Sequence, residues 1–202
     1  MYGLLQDVTE RRMSEIALRR QERAITLTKN MTTVFLTSSP EDIFVDLLEV
    51  VKNATDSRFG LFGYIDVEGN LTCPAVSQLL WGPLAYADGK AVFKSEQWGG
   101  IWGRALRESK TCVLNERPRV PEGHMNLDNA LATPLIHQGR AIGLFVLANR
   151  VGGYGTDEVG LLESAAQQTA PVLSAYLERI RKEAEHEYLE AQFRQAANDA
   201  RS

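Results

Sequence analysis

Apolar residues recur along the first part of the chain at helical spacing. From Met13, the positions Met13, Ala17, Arg20, Ala24, Leu27, Met31 and Val34 alternate steps of four and three, the period of a coiled-coil seam, with Arg20 the one misfit. For the part after Leu27 the same stripe suits almost equally well an amphipathic helix packed on its own domain. Ser38-Ser39-Pro40-Glu41-Asp42 then offers an N-cap serine, a proline at the first helical position and acids in the first turn. It predicts a second helix with Ile43, Phe44, Leu47, Leu48 and Val51 as its buried stripe.

The pattern then changes to period two. Phe59 to Val67 reads as a strand with Phe59, Leu61, Ile65 and Val67 on one face and Phe62 and Tyr64 on the other, which calls for cover on both sides. Asp66-Val-Glu-Gly69-Asn70 closes a hairpin into a strand from Leu71 to Val76. Leu79 to Gln97 has no clean period and predicts an irregular insertion or short helices, a kind of segment that often carries function. Gly99-Gly100 leads into a short helix through Arg107, followed by a strand from Thr111 to Leu114 and a Pro/Gly loop from Asn115 to Leu127. Asn129 to His137 and Ala141 to Asn149 form the clearest hairpin, turning at His137-Gln138-Gly139-Arg140, with Pro134 favouring an edge or a bulge. From Asp157 one helix runs almost to the end, with Leu162, Ala166, Thr169, Leu173, Tyr176 and Ile180 as its seam and a kink expected at Pro171. The order is helix, sheet with inserted helices, helix: an α/β (α+β) fold.

Composition narrows the function. The chain has 202 residues, an apolar share of 44% and a net charge of −4, which argues against a nucleic-acid surface. The arginines from Arg11 to Arg23 alternate with Glu10, Glu15 and Glu22, as on a solvated helix face. Cys73 and Cys112 lie outside any CxxC or zinc spacing and point to a reducing, cytoplasmic setting. No apolar run reaches the roughly 18 residues of a membrane span, so any anchor would lie outside this stretch. A phosphate-binding Gly-rich loop, a nucleophile elbow and HExxH are all missing, and His186 lacks the context of a phosphoacceptor. The reading is therefore non-catalytic, any kinase chemistry belonging to residues beyond Ser202.

Arg140 through Asn149-Arg150, with Gly152-Gly153-Tyr154 and Asp157-Glu158 after it, resembles the last strand and final helix of a GAF domain. Gly99-Gly-Ile-Trp102-Gly103-Arg-Ala with Lys110, Pro121-Glu-Gly123-His124 and Ala132-Thr-Pro134-Leu-Ile extend the resemblance over roughly Leu36 to Leu177, towards the bacterial sensor-kinase type. Gly3-Leu-Leu-Gln-Asp7-Val-Thr9 resembles the closing strand of a PAS domain ahead of a signalling helix. The resemblance implies a division into 1–35, PAS exit and signalling helix; 36–177, GAF domain; and 178–202, C-terminal signalling helix.

It also implies a GAF-like antiparallel sheet of about six strands between helices. The long terminal helices lie on one face and a small-molecule pocket under the insertion on the other. Candidate pocket residues are Tyr64, Cys73, Trp81, Trp98, Trp102, Cys112, His124 and Thr133, each of which equally suits a core or a loop cap. Asn149-Arg150…Tyr154…Asp157-Glu158 resembles the Asn-Lys…Phe…Asp-Glu signature of cyclic-nucleotide GAF domains, with Arg for Lys, Tyr for Phe and a spacing one residue short. The same residues serve to end a strand and cap a helix, which is the favoured reading. The implied function is a sensory module of a multidomain receptor of the histidine-kinase kind, binding an unidentified small molecule. It would work as a parallel homodimer joined through the flanking helices, with Leu27 and Met31 in the seam. Ligand-free dimerisation and relay is the alternative, and a GAF-type reductase a third; no cofactor is named.

Overall fold

The computed structural model describes residues 2–77, 91–117 and 126–199. Trp81 and His124 therefore lie outside the described residues. The order is α1 (Tyr2–Thr37), α2 (Ile43–Ala54), β1 (Phe59–Ile65), β2 (Leu71–Val76), β3 (Ala91–Phe93), a 3-10 turn (Ser95–Gln97), α3 (Gly100–Glu108), β4 (Cys112–Leu114), β5 (Ala130–His137), β6 (Arg140–Ala148) and α4 (Thr156–Asp199). The strands form one six-stranded sheet in the order β3-β2-β1-β6-β5-β4, and every pairing is antiparallel.

Alternation along β1 divides the molecule into two layers. Phe62 and Tyr64 face α1, α2 and α4, whereas Leu61 and Ile65 face α3. On the helix side Phe44 of α2 stacks on Phe62 with centroids 4.5 Å apart, and Phe62 meets Phe145 of β6 at 5.1 Å. Tyr176 of α4 closes the cluster edge-on against Phe44. The β5–β6 turn has positive φ at both Gln138 and Gly139, the mirror-image geometry that follows the twist of a two-residue hairpin. Ser39 carries the cap role expected ahead of α2: its hydroxyl accepts from the Asp42 N–H and its carbonyl from the Ile43 N–H.

Three expectations are corrected. β3 lies in the segment expected to hold irregular structure or short helices, because three residues, Ala91-Val92-Phe93, are too few to show a period, whereas the 3-10 turn after it is a short helix of the expected kind. Gly3–Thr9 is the start of α1 rather than a closing strand; a strand needs a pairing edge, and among the described residues β1–β6 form a sheet that does not include it. Leu27 and Met31 are 1% and 0% exposed and belong to the domain core with α2 and α4, so they are not available to a dimer seam. Pro134 lies past the end of β4, which pairs only with 130–132, and the ladder shifts register at Leu135/Ile136. α4 is one helix through Pro171.

α1 and α4 lie side by side and run parallel. Arg20 pairs with Asp157, Arg23 with Glu158, and Thr28 accepts from Gln168, so numbering rises together on both helices. Residues 10–20 of α1 are solvent-exposed ahead of this contact, and residues 178–195 of α4 are exposed beyond it. The two helices therefore leave the domain at opposite ends. Residues 2–19 extend about 27 Å one way and 178–199 about 33 Å the other, at 1.5 Å per residue.

Candidate functional site

The face of the sheet under α3 is built from small and medium apolar groups: Leu61, Leu71, Cys73, Ala91, Ala132 and Leu144, with Ala105 and Leu106 of α3 above them. Four of the sequence-selected residues gather here. Cys73 and Cys112 are buried in this layer, and Trp98 and Trp102 pack half-buried at its border. Trp102 meets Phe93 at 5.6 Å, and the Trp98 indole N–H donates to the Phe93 carbonyl at 3.3 Å.

Tyr64 and Thr133 lie on the opposite face and do not join them. Tyr64 belongs to the helix-side core beside Tyr176. Thr133 donates to the Thr111 hydroxyl and lines an open cleft of about 410 Å³ between β5, Lys110 and α4. The reason is the two-residue period: Tyr64 shares a face with Phe62, and Thr133 with Leu131 and Leu135.

The two cysteines sit in different environments. Burial pushes the Cys73 thiol up, which keeps it protonated and unreactive. Cys112 accepts a 3.3 Å hydrogen bond from Arg104 Nε. Their strands, β2 and β4, are separated by β1, β6 and β5. Four inter-strand spacings put them about 19 Å apart, whereas a disulfide needs Cα atoms within roughly 7 Å.

α3 is held down by a close approach. A Cβ on Gly103 would stand 2.5 Å from the Trp98 carbonyl carbon, with the carbonyl oxygen closer still, so only glycine lets the 3-10 turn cross α3 here. Gly103→Ala is expected to cost about 1–3 kcal/mol of stability and to shift the fluorescence of Trp98 as its bond to Phe93 breaks. Urea unfolding followed by tryptophan emission checks both. Unchanged stability with unchanged emission would mean that the turn can shift freely.

The Asn149…Glu158 residues form a polar node at the end of the domain from which the N-terminal half of α1 emerges. Asn149 takes a left-handed φ of 58° to end β6, and its side chain accepts from the Asp128 N–H and donates to the Asn126 carbonyl. Arg150 donates to the carbonyls of Thr55, Val151 and Gly153 and pairs with Glu158 at 3.1 Å. Glu158, 5% exposed, also accepts from the Gly155 N–H and pairs with Arg23. Asn129 brackets Arg150, and Asn115 brackets Tyr154, each through two hydrogen bonds to the backbone. These bonds satisfy the strand end and the helix entry internally, which is the capping role the residue types suggest.

Sequence reading missed Arg20, Arg23, Ser57, Asn115 and Asn129. The misfit of Arg20 in the apolar seam was the available signal: a charged residue stands at an apolar position because it pairs with Asp157, 2.7 Å away.

Tyr154 closes the node. Its hydroxyl meets Ser57 at 2.9 Å, and burial, the largest effect, pushes its pKa up to about 12 from an ordinary 10. Because the folded value is the higher one, the stabilisation is complete below pH 10 and is lost as pH rises towards 12. The fall should amount to about 2–3 kcal/mol over that window. Tyr154→Phe should flatten part of the slope in urea unfolding between pH 9.5 and 11, the raised Tyr64 and Tyr176 keeping the rest. An equally steep slope in the variant would show that Tyr154 titrates as in the unfolded chain.

Among the described residues no cluster of His, Cys, Asp and Glu could hold a metal, and no helix is long and apolar enough to cross a membrane.

A sequence model described as the GAF domain matches residues 37–174. A methyl sulfide methyltransferase-associated sensor of Methanosarcina acetivorans is 23% identical over 171 residues; the match covers 79% of this chain and 16% of that protein. The GAF domain of an Acinetobacter phosphoenolpyruvate-protein phosphotransferase superposes with a TM-score of 0.61 at 14% identity, over 76% of this chain and 94% of that one. Free methionine-R-sulfoxide reductase of Neisseria meningitidis, solved in complex with its substrate, gives 0.58 at 18% identity, over 81% and 93%. At such identities the solved structures are alike in fold.

Proposed function

The chain belongs to the GAF domain family, and from that premise we propose that it is a non-catalytic sensory module of a multidomain receptor. It passes a signal between α1 and α4 under the control of a small molecule. One observation carries this reading: α1 and α4 run parallel through the domain and leave it at opposite ends, so any change in how the domain grips them is conveyed along one axis. A ligand acts here only by its difference in affinity between two arrangements of these helices. The α3 face, with Cys73, Trp98, Trp102 and Cys112, is the proposed ligand side, and His124 is proposed to complete it. Tyr64 and Thr133, given their places in the helix layer, would sense occupancy through the sheet. The proposal extends to a cytoplasmic receptor of the histidine-kinase type and a parallel homodimer. Its contacts would lie on the exposed outer segments of the helices, at Met13, Ile16 and Leu18 and at Ile180, Tyr188 and Phe193, instead of at Leu27 and Met31.

A second reading has its own support. The α3 face is filled by mutually packed side chains such as Leu61, Cys73, Leu106 and Leu144, which suits a relay that works without a ligand. The reductase reading is disfavoured by the separation of Cys73 from Cys112. Thermal melting of the purified chain against a panel of cellular metabolites separates the two surviving readings. A saturable rise in melting temperature that Trp102→Ala abolishes supports the ligand-controlled module; a panel with no shift favours the ligand-free relay.

A further inference from the structure

We propose that Arg23 is a reversible latch that holds the outer half of α1 against the domain, and that residues 24–26 are the hinge about which that half swings when the latch opens. The inference deepens the relay reading and rests on it by naming the contact that moves.

α1 is held in two different ways along its length. From Leu27 onward it is fixed by apolar burial, with Leu27 and Met31 essentially inaccessible. Above Leu27 the grip is polar. Arg23 Nη2 donates to the Ala54 carbonyl at the end of α2 at 2.9 Å, and Nη1 reaches Glu158 Oε1 in the first turn of α4 at 3.3 Å. Arg20 adds one outer pair to Asp157. The helices are not closely packed here: a groove of about 260 Å³ runs between Arg20, Ala24, Gly160 and Ser164, and a Cβ on Gly160 would meet nothing within 4 Å. A helix tied by hydrogen bonds across an open groove, next to a stretch locked by core residues, has its point of bending fixed at the boundary.

The chemistry of Glu158 makes the latch reversible. Breaking a buried ion pair is costly when it strands a charge. Here Oε1 is shared: Arg150 stands 3.1 Å away, and its remaining donors are anchored on Thr55, Val151 and Gly153 inside the domain. When Arg23 leaves, Glu158 keeps Arg150 and the Gly155 N–H, so no charge is orphaned. Arg23, with its side chain already 35% exposed, passes into water. Arg150 and Glu158 form the permanent half of the node, and Arg23 the detachable half. Because both arginines share one oxygen, detachment changes the charge felt at the entry of α4, which couples the movement of α1 to the helix that carries the output.

Amide hydrogen exchange on the chain and on Arg23→Gln tests the assignment. The amides of residues 20–26 should exchange at least about tenfold faster in the variant, the factor that a loss of about 1.4 kcal/mol in local opening would give. Those of β1, β6 and 162–173 should change less than twofold. Arg23→Lys, which keeps the charge but cannot span carbonyl and carboxylate together, should fall between and serves as the reading if the glutamine variant folds poorly. Unchanged exchange in 20–26 overturns the latch. So does an equal acceleration throughout the sheet, which would make Arg23 a residue of general stability. No ligand enters the measurement, so a failed latch is distinguishable from a failed relay, which shows in the distance between the helix ends.

Discussion

Met31→Glu is expected to abolish cooperative folding at 25 °C. The Met31 side chain is 0% exposed among Leu27, Val34, Phe44 and Leu162. Removing a buried methionine costs about 2–5 kcal/mol through lost transfer energy and the cavity left behind. Glutamate adds the expense of a carboxylate with no partner in that layer, at least a further few kcal/mol. Since domains of this size are stable by about 5–15 kcal/mol, the sum is comparable with the whole. Circular dichroism and urea unfolding would show the loss. The alternative, Met31 in an intermolecular seam, predicts a folded monomer with an unaltered melting temperature. That outcome would mean that α1 packs on another chain and not on its own sheet.

Phe62→Ala is the second large effect, expected at about 3–5 kcal/mol. The ring is the centre of the helix-side layer, stacked on Phe44 from α2 and tilted against Phe145 of β6. Its loss uncouples α2 from the sheet, and because Phe44 also touches Tyr176, α4 loses support as well. Trp102→Ala should cost less, about 2 kcal/mol, since the indole is only half-buried at the edge of the other layer. If the order of the two variants in urea unfolding were reversed, the α3 face would be the principal core and the helix layer secondary.

Much of the fold was legible because the two periods are strong where burial is one-sided. The alternation in Phe59–Ile65 put Phe62 and Tyr64 on one face and Leu61 on the other, as the layers are. What escaped was context. The stripe through Leu27, Met31 and Val34 has the spacing of both a dimer seam and a core face, and only the presence of α2 and α4 beside it decides between them. β3 has too few residues to declare itself. Tyr64 and Thr133 were grouped with Cys73 by residue chemistry, whereas strand parity separates them. The polar node was half legible: Asn149, Arg150, Asp157 and Glu158 lie within ten residues of one another, but Arg23 is 135 residues from its partner. No local pattern connects such a pair; the only trace on this face of α1 is Arg20, the arginine that breaks the apolar seam three residues earlier and pairs with Asp157.

The central claim is that α1 and α4 lie parallel in one domain and leave it at opposite ends. Spin labels at Ile16→Cys and Tyr188→Cys, with Cys73 and Cys112 replaced by Ala, measure this directly by pulsed electron resonance on singly diluted doubly labelled chains. Both positions are exposed, at 52% and 64%. With Arg20 level with Asp157, the account predicts a separation of about 50 Å along the shared axis at 1.5 Å per residue. A distance of about 20 Å or less would put both helix ends on the same side of the domain and contradict a relay that runs through it.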